Sequence, residues 1–252
     1  MWIRVALYLF LPEEGARVIG VDLSEKMLET ARKKSAGLDI SYLRCAMEDV
    51  DFPDNSFDMV FSSLALHYVE DFARLAEKVK RMLKPGGIFL FSCEHPVFTA
   101  QGSQDWLYDE KGEIRCFPVD RYYYQGERDA IFLGEHVRKY HRTFTGYLKP
   151  LLKLGFTVTD FEEPMPTEEA RRTIPGMEDE MRRPMMMIIK QQSQQQFRRK
   201  AEVSQKYVHR LNCDKAGPIS RLTCGLYGFL QIKLQLLPEA VAGTFHIPGD
   251  FG

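Results

Sequence analysis

The chain has 252 residues, 44% of them hydrophobic, which is enough for one sizeable core, and its formal net charge of −1 gives no basic field for nucleic acid. Five widely spaced cysteines (Cys45, Cys93, Cys116, Cys213, Cys224) contain no C-x-x-C pair, which argues against a disulfide framework and for reduced thiols in the cytoplasm. The six histidines show no metal-ligand spacing beyond His136 and His141, five apart and off register for one helical face, so no metal is expected.

The chain opens on "MWIRVALYLFLPEE", with an apolar run from Val5 to Leu11 and no small-residue cleavage site. Such a run falls far short of the roughly 20 residues of a membrane span. It is expected to be a buried strand or helix remnant, and no membrane association is expected. Val18 to Val21 is a short apolar run ending in Asp22, the pattern of a buried parallel strand. Ser24 can cap the helix that follows, in which Met27, Leu28 and Ala31 share an apolar face. "LDISYLRC" at 38–45 predicts a third strand, "FPDNSFD" a turn, and "MVFSSLAL" from Met59 another buried strand. The clearest helix runs from about Asp71 to Lys84, with Phe72, Leu75, Ala76, Val79, Met82 and Leu83 at helical spacing. Pro85 and Gly86-Gly87 end it and feed the strand "IFLFSC" at 88–93.

Residues 94–136 form a long insertion, too aromatic for a free linker, with Trp106, Phe117 and Tyr122-Tyr123-Tyr124. A strand over "HVRKYHRTF", a helix at 145–154, the strand "GFTVTDFEEP" and the strand "PMMMIIKQ" follow. The alternation predicts an α/β fold with a doubly wound, mainly parallel sheet. From Gln191 the texture becomes glutamine-rich, and the charge balance changes from −5 over 1–190 to +4 over 191–252. The expected organisation is one domain over 1–190 and a polar, basic extension over 191–252, partly helical or poorly ordered.

Asp22, at the carboxyl end of a parallel strand, can accept two hydrogen bonds from a ribose or can simply start the next helix. "VIGVDLSEKMLETARKK", "FPDNSFDMVFSSLALHYVED" and "LKPGGIFLF" occur in that order, and together they resemble the class I S-adenosylmethionine-dependent methyltransferases acting on small molecules, over roughly residues 13–190. That resemblance implies a Rossmann-like fold and S-adenosyl-L-methionine as cofactor. It implies that Asp22 holds the ribose hydroxyls, with Leu23 and Met27 on the adenine side. Met47, through its backbone N–H, and Glu48 become the adenine contacts, because Ala46 stands where many relatives have Asp. Ser62, Ser63 and Leu64 are then expected beside the sulfonium. His67 is the nearest candidate for a base, or else a packed histidine beside Tyr68. Glu94, His95 and Tyr122, Tyr123 and Tyr124 are candidates for the substrate pocket under an aromatic lid.

The resemblance also implies a strand, a G-x-G-x-G turn and a helix before Glu13. Residues 1–14 contain no glycine. Without it the backbone has no obvious way to approach the methionine part of the cofactor. The expectation is a methyltransferase whose cofactor affinity is weak or lost, with a gap or exposed edges in the sheet that residues 3–11 or the tail could fill. The alternative is a non-catalytic relative or truncated isoform that binds a protein partner through the sheet edge or the tail.

Overall fold

The structure, a computed structural model, describes residues 16–132 and 134–194 and three short strands further on. Strand β1 (Val18–Asp22) leads into helix α1 (Glu25–Lys34), and β2 (Ile40–Arg44) returns parallel to β1. Ser24 caps α1 as its sequence position predicts, its Oγ accepting the Met27 N–H at 3.4 Å. Leu28 and Ala31 are the buried face of α1.

Strand β3 (Phe57–Ser63), helix α2 (Phe72–Met82) and strand β4 (Leu83–Glu94) form the second parallel unit. Asp71 caps α2 by accepting the Arg74 N–H at 2.9 Å. Phe72, Leu75, Ala76, Val79 and Met82 are all buried, at the predicted spacing. Burial of each large side chain contributes about 1.5–3 kcal/mol. The predicted helix end and turn lie instead within the lead-in of β4. Leu83 pairs with Phe57, the register slips, and pairing resumes at Met59 with Ile88. Gly86 (φ +81°) makes this possible, and a Cβ on Gly87 would stand 2.9 Å from the Lys84 carbonyl oxygen.

A short helix α3 (Pro96–Thr99), two small hairpins, β5 (Leu107–Tyr108) with β6 (Ile114–Cys116) and β7 (Gly126–Phe132) with β8 (Glu135–His141), and helix α4 (Phe144–Lys153) come next. Strand β9 (Phe156–Glu162), helix α5 (Glu168–Thr173) and strand β10 (Met186–Ser193) complete the main body. Strand β10 lies between β4 and β9, antiparallel to both, so the sheet order is β3-β4-β10-β9 and the pairings are mixed.

Among the described residues β1 pairs only with β2, and β3 only with β4. Among these residues the sheet is therefore in two pieces, and the facing edges of β1 and β3 are both unpaired. Whether residues 3–11 fill the gap, as the sequence suggested, lies outside the described residues.

The core gathers α2, β4, β10, α4 and β9 around Phe72, Phe89, Phe91, Tyr147, Phe156 and Met187. The change of composition at residue 191 falls inside β10, which continues to Ser193. The described parts of the tail are strands β11 (Leu222–Cys224), β12 (Leu230–Gln235) and β13 (Ala242–Thr244), paired antiparallel. Gln191 lies opposite Phe89, two residues on from Ile189 on the core face of β10. It is fully buried, and neither of its amide atoms has a hydrogen-bond partner among the described residues. Burying an unpaired amide is costly. Gln191→Met is therefore expected to stabilise the protein by about 1–3 kcal/mol. Urea denaturation with an unchanged or lower midpoint would show that the amide is satisfied.

Candidate active site

The carboxyl ends of β1, β3 and β4 each present a distinct group, and in parallel α/β sheets this rim is where ligands bind. On β1 the carboxylate of Asp22 is 5% exposed, and Oδ1 accepts the Ser24 N–H at 2.8 Å. No other side chain donates to it among the described residues. Burial pushes its pKa up, against the pull of the Ser24 N–H. Arg44, opposite in register, turns its Nε to the Leu23 carbonyl at 3.3 Å instead. Asp22 is thus a buried acceptor that takes backbone N–H groups but no side-chain donor among the described residues, which suits a ligand with neighbouring hydroxyls. Leu23 beside it is 53% exposed and Met27 half-buried.

The segment after β2 is held near this group. The Cys45 N–H donates to the Asp22 carbonyl at 3.1 Å, and Met47–Asp49 forms a 3-10 turn. Met47 packs against the core, whereas Glu48 is exposed. Lys78 of α2 fixes the turn by donating to the Glu48 carbonyl at 2.6 Å.

At the end of β3, Ser63 is buried and Ser62 Oγ is buried without a partner among the described residues. Leu64 has φ +49°, a left-handed conformation that is rare for a branched residue. Its N–H donates to the Ser92 carbonyl at 2.9 Å, so β4 holds the strained bend in place. His67 follows in a 3-10 turn (Leu66–Tyr68), 2% exposed, its ring 4.3 Å from that of Tyr68. His67 Nδ1 accepts the Glu94 N–H at 3.3 Å, which places the proton of the neutral ring on Nε2. Burial lowers the His67 pKa to about 4, despite the nearby Glu94. Arg142 braces this turn from behind, donating to the carbonyls of Leu66, Val69 and Glu70.

Two of the pocket candidates are committed to internal contacts. Glu94 receives Lys139 Nζ at 2.6 Å and Gln104 Nε2 at 2.8 Å. Burial pushes its carboxyl up, but His67, Lys139 and Gln104 together hold it below the usual range. His95 caps α3, its Nδ1 accepting the Val97 N–H at 3.1 Å while Nε2 lies 3.0 Å from Glu163. The structure thus brings Ser62, Ser63, Leu64, His67 and Glu94 together, and separately Asp22, Leu23 and Met27, with Met47 in the turn after β2 packed against the core.

The tyrosine triplet divides. Tyr122 turns inward, its carbonyl 2.8 Å from His141 Nε2 and its hydroxyl accepting the Phe144 N–H at 3.2 Å. Tyr123 and Tyr124 are 86% and 70% exposed, as free loop residues would be. Three other aromatic residues of the insertion form a clamp. Phe98, Trp106 and Phe117 surround the Arg183 guanidinium at 4.6, 4.7 and 4.7 Å, and Glu180 pairs with it at 2.9 Å. A cavity of about 950 Å³ lies elsewhere, between the starts of α2 and α4, lined by Glu70, Asp71, Glu127, Thr143 and Lys149 and by none of the sequence-derived candidates.

Sequence reasoning missed Lys139 and Arg142. The signal for Lys139 was present: in "HVRKYH" it shares a face with Val137 and His141, and that face turns inward. Arg142 falls within the run read as a strand but stands one residue beyond β8 and binds carbonyls over seventy residues away in sequence, which no local pattern reports.

Comparison with known proteins adds the lineage. The sequence profile of the methyltransferase domain matches residues 4–91. A Listeria monocytogenes protein of solved structure, assigned to the S-adenosylmethionine-dependent methyltransferases, is 45% identical, with a TM-score of 0.71 over 75% of this chain and 85% of that one. An S-adenosylmethionine-dependent methyltransferase from Mesorhizobium loti is 41% identical, with a TM-score of 0.63 over 69% of this chain and 79% of that one. The malonyl-[acyl-carrier protein] O-methyltransferase of Yersinia pestis is 39% identical over 93 residues, 37% of this chain and 32% of that enzyme. This chain thus spans about a third of the Yersinia enzyme but most of both solved structures. With relatives this similar over most of their length, the chain belongs to the S-adenosylmethionine-dependent methyltransferase family, and its cofactor is S-adenosyl-L-methionine.

Proposed function

We propose that the chain carries the site of a methyltransferase for a small-molecule acceptor, with transfer impaired because residues 1–14 supply no glycine turn. The observation that carries this reading is Asp22, a buried carboxylate at the end of a parallel strand that has no side-chain donor among the described residues. It fits the ribose diol, and the half-exposed Leu23 with Met27 and Met47 offers apolar cover for an adenine. Glu48 then contributes through its backbone, since its side chain is exposed. When bound, the cofactor supplies a methyl group already activated on a sulfonium. The protein's own work is placement and exclusion of water.

The strained bend at Leu64 and the orphaned Ser62 hydroxyl support placing the reacting centre at the end of β3. With Nδ1 occupied and its pKa about 4, His67 is a weak proton acceptor at neutral pH. Its proposed contribution is a neutral wall to the site, with Glu94, His95 and Tyr122 shaping the acceptor side from behind. The residues beyond β10, from 194 to 252, are read as an extension of this domain. Free Cys45, Cys93 and Cys116 are in keeping with a cytoplasmic location, and no helix among the described residues is long and apolar enough to cross a membrane.

The test is calorimetric titration of the 252-residue chain with S-adenosylhomocysteine beside Asp22→Ala. The expected result is a dissociation constant weaker than micromolar, with Asp22→Ala removing the remaining signal. A micromolar constant rejects the impairment, and binding indifferent to Asp22→Ala rejects the ribose assignment. A second reading, a non-catalytic protein that pairs with another chain, is favoured by the edges of β1 and β3, unpaired among the described residues. A folded chain that binds no cofactor yet sediments as a complex supports that reading over the first.

A further inference from the structure

The carboxyl end of β4 carries a closed ring of three polar side chains that the proposed reaction does not use. Lys139 Nζ donates to Glu94 Oε1 at 2.6 Å and to Gln104 Oε1 at 2.7 Å, and Gln104 Nε2 donates back to Glu94 Oε2 at 2.8 Å. The Lys139 side chain is only 2% exposed, and its ammonium lies 5.5 Å from the centre of the Phe132 ring. An ammonium buried this deeply needs a charged partner, and Glu94 is that partner.

Glu94 Oε1 is also the oxygen nearest to His67. His67 Nε2 lies 3.9 Å from it, too far for a hydrogen bond, while Nδ1 takes the Glu94 backbone N–H. Two cationic or potentially cationic groups therefore face one carboxylate oxygen, and Lys139 is the one bonded to it. We infer that Lys139 is a positioning residue: by occupying Glu94 Oε1 it denies His67 a carboxylate partner and keeps an uncharged imidazole at the rim of the candidate methyl-transfer site. The catalytic meaning of this arrangement rests on the methyltransferase reading, whereas the competition for Glu94 does not.

The groups facing His67 are few. Glu94 stands at the end of β4, Lys139 on β8, Arg142 one residue beyond β8, and the Tyr68 ring alongside. Glu94 favours the charged ring; burial, Lys139 and Arg142 oppose it. Replacing Lys139 by an uncharged residue removes one opposing cation and frees the carboxylate, and both changes act in the same direction.

The experiment is a proton-NMR titration of the His67 ring in the full 252-residue chain, assigned by its loss in His67→Gln. It compares the wild type, Lys139→Met and the double variant Glu94→Gln/Lys139→Met. In Lys139→Met the His67 midpoint is expected to rise by about 1–3 pH units, as for a group that gains a carboxylate partner. In the double variant it is expected to stay near the wild-type value of about 4. If Lys139→Met does not fold, Lys139→Gln, which keeps a donor but loses the charge, carries the same expectation. An unmoved midpoint in the folded single variant, or an equal rise in the double variant, overturns the inference and leaves Lys139 as a brace between β4 and the insertion. No cofactor is needed, so failure here is distinct from failure to bind S-adenosylhomocysteine.

Discussion

Arg142→Ala is expected to destabilise the protein by about 3–5 kcal/mol, the cost of breaking a buried charged network. The guanidinium donates to the Tyr140 carbonyl at 3.2 Å, to that of Leu66 at 3.5 Å, to that of Glu70 at 2.6 Å and to that of Val69. It also lies 5.9 Å from the Phe72 ring centre and 5.7 Å from that of Tyr147. Truncation leaves several backbone acceptors in the interior without their donor and opens a gap beside two core rings. The turn carrying His67 loses its only side-chain brace among the described residues, so local order should fail along with global stability. Arg142→Lys keeps the charge but cannot span four carbonyls and should recover only part of the loss. Urea denaturation at neutral pH measures the effect. A change below about 1 kcal/mol would show that the turn holds itself together.

Acid should weaken the fold through the buried His67 ring. His67 is 2% exposed and its pKa in the folded chain is about 4, against an ordinary value of 6.5. Between those values the unfolded chain binds a proton that the folded chain refuses. The contribution of the neutral ring is therefore complete above pH 6.5 and declines as pH falls towards 4. The size of the loss is on the order of 3 kcal/mol. Burial likewise lowers the pKa of His95 and His141, which adds in the same sense. Chemical denaturation at pH 7.5, 6 and 5 should give a falling stability in the wild type and a flatter line in His67→Gln. Parallel lines would mean that the ring charges freely in the fold.

The legible parts of the fold were those set by short-range periodicity. Helix α2 announced itself through Phe72, Leu75, Val79 and Met82, and β1 through an apolar run ending in Asp22. The sequence did not show that β10 enters between β4 and β9, because register is decided by partners far along the chain. The turn at Pro85-Gly86-Gly87 was read as the end of one element, yet Leu83 already pairs with Phe57. In the site, Asp22 was legible because a carboxylate at a strand end has few uses. Glu94 and His95 were placed at the right rim but with their hydrogen-bonding capacity already taken, by Lys139 and Gln104 in one case and by Glu163 and a helix cap in the other. Tyr122 and Tyr123 are adjacent in sequence and opposite in exposure, a difference that only the hairpin β7–β8 determines.

The division of the sheet between β1 and β3 bears on how this protein can be saturated by a ligand. Asp22 belongs to the small piece, held to the rest through the 45–54 segment, where Lys78 grips the Glu48 carbonyl and Arg81 that of Phe52. With these as its ties among the described residues, the piece is expected to open on its own, at a smaller free energy than the whole molecule. Any compound that grips Asp22 must first find that piece closed, so its apparent affinity is its intrinsic affinity scaled by the closed fraction. Linkage works in reverse as well: an occupied Asp22 would hold β1, α1 and β2 against the body, and cofactor recognition and local folding would be one equilibrium.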